Sequence, residues 1–168
     1  FMFGSHDAAA FIRREEEKLV EAGDRAEDES SKLSRRASQQ RKAIEKFRQR
    51  AAITQELGKS IQDNWSHVDN ILAQLNSAVE ERGWLDTADI AHDVEWVDSV
   101  DPGKHTVVAF LPDEDGEPGA SITLEASKTV HQNAQRYFEE ARAQKNKAKG
   151  AIEALEKTEK SKKTAENC

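Results

Sequence analysis

A chain of 168 residues with 34% charged and 36% hydrophobic side chains, and a net charge of −7, has too little apolar material for one large core. It suits long amphipathic helices, which need only an apolar stripe. No apolar run approaches the roughly 20 residues that span a bilayer, and a lone cysteine, Cys168, excludes a disulfide framework and a thiolate metal site.

The opening, FMFGSH, lacks the basic region and apolar core of a signal peptide. Its Gly4-Ser5-His6 reads as a tag scar, so residues 1–6 are set aside and a reducing, cytoplasmic setting is the default. Residues 7–58 read as one helix. Leu33, Ala37, Gln40, Ile44, Phe47, Ala51 and Thr54 follow a 4–3 spacing, the signature of a coiled-coil strand. Ile12, Leu19 and Ala26 extend one line of that seam backwards at intervals of seven. Gly23 and Gly58 are its only helix-weakening residues, and Gly58 marks its expected end.

Residues 59–128 read as a small acidic α+β head. Ile61, Trp65, Val68, Ile71 or Leu72, Leu75 and Val79 share a helix face that Gly83 should stop. LDTADIAHDVEWV begins a short helix capped by Asp86 or Thr87. HTVVAFL and SITLE flank the turn PDEDGEPG, which predicts a hairpin of strands 105–111 and 121–125. Trp65, Trp84, Trp96 and Phe110 are expected to supply most of a small core.

Residues 129–163 return as a second helix, followed by a tail at 164–168. Thr129 with Gln132 forms a capping box. Val130, Ala134, Tyr137, Ala141, Gln144, Ala148, Ala151 and Leu155 repeat the 4–3 spacing. The predicted fold is mainly α with a small β-hairpin, a long antiparallel two-helix coiled-coil stalk carrying the small α+β head. In it Ile44, Phe47, Tyr137, Ala141 and Ala148 share a seam.

The charge is laid out in blocks. Residues 12–59 hold 13 Lys/Arg against 10 Asp/Glu, 63–125 hold 2 against 15, and 128–163 hold 10 against 5. Two basic arms therefore flank an acidic middle. Arg142, Lys145 and Lys149 recur at three- and four-residue intervals, and Arg41, Lys42, Arg48 and Arg50 sit at comparable height on the first helix. Such a ridge fits phosphate contact without base readout, although a solvated face with aliphatic stems over the seam has the same appearance. Asp113, Glu114 and Asp115 are the matching candidates for a basic protein partner.

Chemistry is sparse. None of His6, His67, His92, His105 or His131 has the glutamate or cysteine neighbours of a zinc site. His92-Asp93 reads as two polar residues on a surface helix rather than an acid–base pair, DEDGEPG as a solvated turn rather than a calcium loop, and Tyr137-Phe138 as packing before base stacking. No catalytic residue and no cofactor is expected.

ITLEASKTVHQNAQRYFEEARAQKNKAKGAIEALEKTE resembles the NFACT family (RqcH in archaea and bacteria, NEMF in eukaryotes, described earlier as fibronectin-binding-protein-like). There a strand leads into a capped helix with an Asn-Ala-x-x-Tyr-Phe/Tyr core and a Lys/Ala-rich arm. Asn133, Ala134, Tyr137 and Phe138 match that core in order, and IQDNWSHVDNILAQLNSAVEERGWLDTADI is similar to the segment before the hairpin. The resemblance implies the coiled-coil middle of a ribosome-associated quality-control factor. Such a factor binds the large ribosomal subunit, through rRNA and a stalk-base protein, and supports template-free tailing of the nascent chain. The peptidyl-tRNA is engaged by an N-terminal domain whose Asp-Arg motif maps to no residue of this chain. No membrane and no small-molecule substrate is expected, and the acidic bias fits a halophilic archaeal source. The alternative is a protein-interaction or adhesin-type coiled coil that touches no RNA.

Overall fold

The computed structural model describes residues 2–167. Four helices and three strands follow in the order α1 (Met2–Asp63), α2 (Trp65–Arg82), α3 (Thr87–Asp93), β1 (Val97–Asp101), β2 (Thr106–Pro112), β3 (Pro118–Glu125) and α4 (Val130–Glu166). The fold is mainly α with a small antiparallel sheet of order β1-β2-β3. The chain divides into two compact units, one made of residues 1–47 and 147–168, the other of 48–146.

In the first unit the predicted seam holds at its inner positions. Ala37, Ile44 and Ala148 are buried, and Leu33, Gln40, Phe47, Ala151 and Leu155 are half-buried; Thr158, outside the predicted seam, is buried as well. An Arg41–Glu159 ion pair ties α1 to α4. The backward extension of the seam is corrected: Ile12 is 56% and Leu19 73% exposed. They keep the heptad interval, but no described residue covers them.

In the second unit α1 does not stop at Gly58. It runs to Asp63, and the break comes at Asn64, whose φ of −113° and ψ of 32° leave the helical region. Gly58 is instead a point of close approach. A Cβ there would lie 2.8 Å from Cε1 of Phe138, so only glycine lets that ring rest on α1. Gly83 does end α2, at φ 76°, with its N–H donating to the Val79 carbonyl at 2.6 Å.

The core of this unit is aliphatic rather than aromatic. Ile61, Val68, Ile71, Leu72 and Leu75 pack against Val107, Ala109, Leu111, Ile122 and Leu124 of the sheet, with Ala134 from α4. Phe110 lies between two inward residues of β2, and strand alternation turns it to the other face. Trp65, the first residue after the Asn64 break, is 60% exposed. Trp84 and Trp96 close the rim, Trp84 stacked on His105 at 4.5 Å and Trp96 edge-on to His67 at 4.8 Å.

The hairpin forms as predicted, β2 on β3 with Ala109 opposite Ile122. The sequence predicts no third strand. β1 pairs with β2 through a bulge between Val97 and Ser99, and a bulge resets the two-residue alternation that reveals a strand.

The capping box of α4 is present in full. The Gln132 N–H donates to Thr129 Oγ1 at 3.1 Å, and the Thr129 N–H donates to Gln132 Oε1 at 3.0 Å. Thr129→Ala is expected to cost about 1 kcal/mol. An unchanged urea midpoint would mean that this cap does not hold the helix start.

Candidate nucleic-acid interface

The site is built where α1 and α4 meet in the unit of residues 48–146. On α4, Gln135, Phe138, Arg142 and Lys145 follow one another at intervals of three, four and three, each one position beyond the seam residues Ala134, Tyr137, Ala141 and Gln144. Such a stripe runs along one flank of a helix. With Gln55 of α1 these four residues line a groove of about 380 Å³. Gly58 lies under Phe138, and Gln55, one turn earlier on α1, lines the groove with Arg142 and Lys145.

The groove differs in charge from the unit that carries it. Residues 48–146 hold nine Lys/Arg against eighteen Asp/Glu, net −9, yet no carboxylate is among the groove's lining residues. Arg142 and Lys145 are exposed, and among the described residues neither has an ion-pair partner. Arg48 lies two turns before Gln55 and shares its side of α1, whereas Arg50 is turned well away from that side. In the other unit Lys42 and Lys149 are exposed, and Arg41 is committed to Glu159. The sequence-predicted cations therefore fall in both units, and the structure brings Arg142 and Lys145 into one groove.

Beside the groove, Asn133, Arg136 and Tyr137 fasten α4 to the outer edge of β3. The Glu125 N–H donates to Asn133 Oδ1 at 2.8 Å, and Asn133 Nδ2 donates back to the Glu125 carbonyl at 3.2 Å. The Thr123 N–H donates to the Tyr137 hydroxyl at 2.8 Å, and Arg136 Nη2 donates to the Thr123 carbonyl at 2.8 Å. Alternate residues of a strand present their backbone groups to the same edge, roughly 7 Å apart, and four residues of helix rise about 6 Å. The Asn-x-x-x-Tyr spacing therefore matches two strand residues. Ala134, fully buried, lets the helix lie close enough. Tyr137 is thus held to the strand by its hydroxyl, half-buried and with the Arg136 guanidinium over its ring at 5.7 Å.

The acidic turn is also partly committed. The Asp113 carboxylate accepts from the N–H groups of Asp115 and Glu117, both at 2.9 Å. Glu114 and Asp115 remain exposed without ion pairs among the described residues. Asp93, the neighbour of His92, pairs with Arg82. Among the described residues no group of three or more His, Cys, Asp or Glu is placed to hold a metal, and no helix is long and apolar enough to cross a membrane.

Compared with known families, residues 10–168 match the family model of the NFACT N-terminal and middle domains. The chain belongs to the NFACT family. None of the curated proteins compared with it matches. Asn133, Ala134, Tyr137 and Phe138, the residues that carry the resemblance, each have a structural task in this NFACT chain: two fasten a strand edge, one permits close packing, and one covers Gly58.

Gln55 and Gln135 are the groove residues that sequence reasoning missed. Gln135 sits on the same flank as Arg142, and that flank was legible. Gln55 was not, because nothing in one helix reveals which residues of another lie beside it.

Proposed function

We propose that this NFACT chain is a positioning segment of a ribosome-associated quality-control factor, docking on large ribosomal subunits that hold peptidyl-tRNA and supporting template-free tailing. It acts in the cytoplasm by binding rather than by catalysis. The observation that carries the reading is the pair of unpartnered cations, Arg142 and Lys145, in a carboxylate-free groove on a unit of net charge −9. Cations kept free of ion pairs amid such acidity suit phosphate neutralisation. Arg48 adds positive charge in the same unit, Lys149 is an exposed cation of the other unit, and the exposed Glu114 and Asp115 suit a basic stalk-base protein.

Binding to isolated large subunits should weaken steeply with salt, by about 0.7 to 0.9 in log–log slope for each phosphate contact. The triple variant Arg142→Ala, Lys145→Ala, Lys149→Ala should lower that slope by about two to three units. Melting should be unchanged, because alanine keeps helix propensity. Co-sedimentation across a salt series checks this, and an unaltered slope would reduce the stripe to a solvated face. Charge reversal at Glu114 and Asp115 would then test the acidic surface, leaving Asp113 to hold its turn.

The exposed Ile12 and Leu19 favour a second reading, a coiled coil that binds another protein and no RNA. It predicts that subunit binding, if any, is insensitive to Arg142 and Lys145.

A further inference from the structure

The cations alone would make the groove a phosphate site indifferent to sequence. Its other three residues do not fit that description. Gln55 and Gln135 each bring an amide with both a donor and an acceptor, and Phe138 supplies an aromatic wall. Phosphate has no use for an aromatic wall or for an amide acceptor. An unpaired base offers a π-face for the ring and a mixed donor–acceptor edge for the amides. The volume, about 380 Å³, falls in the range of small-ligand sites. The wall is also rigidly seated. Phe138 rests on Gly58, with no room there even for a Cβ, and one turn earlier Ala134 is fully buried.

We propose that this groove takes a single unpaired RNA nucleotide, its phosphate held by Arg142 and Lys145 and its base against Phe138 within reach of the Gln55 and Gln135 amides. The proposal rests on the RNA-binding reading above and adds base dependence to it. An acidic peptide would satisfy the two cations and, through its backbone, the amides, but brings no π-face to the ring.

The test is fluorescence anisotropy of the whole chain with three labelled RNA hairpins at low salt. One is fully paired, one carries a single-nucleotide bulge, and one carries an abasic residue in the bulge. The bulged hairpin is expected to bind about tenfold more tightly than the other two. Gln55→Ala with Gln135→Ala should erase that difference while leaving the salt slope of the paired hairpin intact. Gln135→Ala alone, at an exposed position, should shrink it and keeps the test readable if the Gln55 change disturbs the fold. Equal affinity for all three hairpins, with a salt slope that still depends on Arg142 and Lys145, would overturn base recognition and leave the phosphate-contact reading standing. Loss of all RNA binding at low salt would overturn both. Displacement of the bulged hairpin by poly-glutamate more readily than by unlabelled bulged RNA would overturn the proposal in favour of an acidic peptide.

Discussion

Asn133→Ala is expected to lower stability by about 3 kcal/mol, because it removes the hydrogen bonds of a buried amide and leaves the Glu125 N–H of the strand edge without a partner, while the Glu125 carbonyl keeps only the Lys128 N–H. Asn133 is fully buried. Its amide accepts from the Glu125 N–H and donates to the carbonyls of Glu125 and Thr129. Alanine fills part of the space and replaces none of the three bonds. Asn133→Asp is the sharper variant. A carboxylate accepts from the Glu125 N–H but faces the Glu125 and Thr129 carbonyls with no donor and adds a buried charge. It should be at least as destabilised at neutral pH, and should recover part of the loss as the pH falls and the new carboxyl gains a proton that it can donate. Urea titrations of both variants at pH 7 and pH 4.5, each against the parent chain at the same pH, decide the matter. If Asn133→Ala loses less than 1 kcal/mol, the strand edge is satisfied by water and the amide is incidental.

Gly58→Leu should cost about 3 kcal/mol, the upper part of the range for forcing methylenes into a filled space. The first added carbon would already sit 2.8 Å from Phe138, and the ring would have to leave α1. The better helix propensity of leucine recovers about 1 kcal/mol of what a pure clash would take. Combining it with Phe138→Ala removes the obstacle. The double variant should then be more stable than the sum of the single effects predicts, by on the order of 1 to 2 kcal/mol. Strict additivity in a double-mutant cycle would show that the two residues do not press on each other.

The seam was legible in the sequence because helical periodicity alone dictates which residues share a side, and Ala37, Ile44, Ala51, Ala134, Ala141 and Ala148 are all buried where the 4–3 spacing places them. The cap at Thr129, the stop at Gly83 and the β2–β3 hairpin were legible for the same reason, each being local chemistry. What could not be read was anything fixed by a distant neighbour. Gly58 looked like a helix end because its reason for being glycine lies on α4. The tryptophans looked like core because size suggests burial, whereas strand alternation gave the interior to Val107, Ala109 and Leu111. β1 was hidden by its own bulge. Of the groove, the α4 flank was legible as a basic ridge, but its amides and ring took on meaning only once Gln55 was seen beside them.

A three-stranded sheet has two outer edges, and exposed edges invite strands from other molecules. Here each edge is blunted in its own way. On β3 the backbone groups of Thr123 and Glu125 are already taken by side chains of α4. On β1 the strand is five residues long, bulged, and carries Asp98 and Asp101. A helix that fastens one edge with side chains thus also acts as a guard against self-association. Loss of Asn133 would free the Glu125 N–H on that edge, and the variant should aggregate from partly unfolded states at concentrations that the parent chain tolerates.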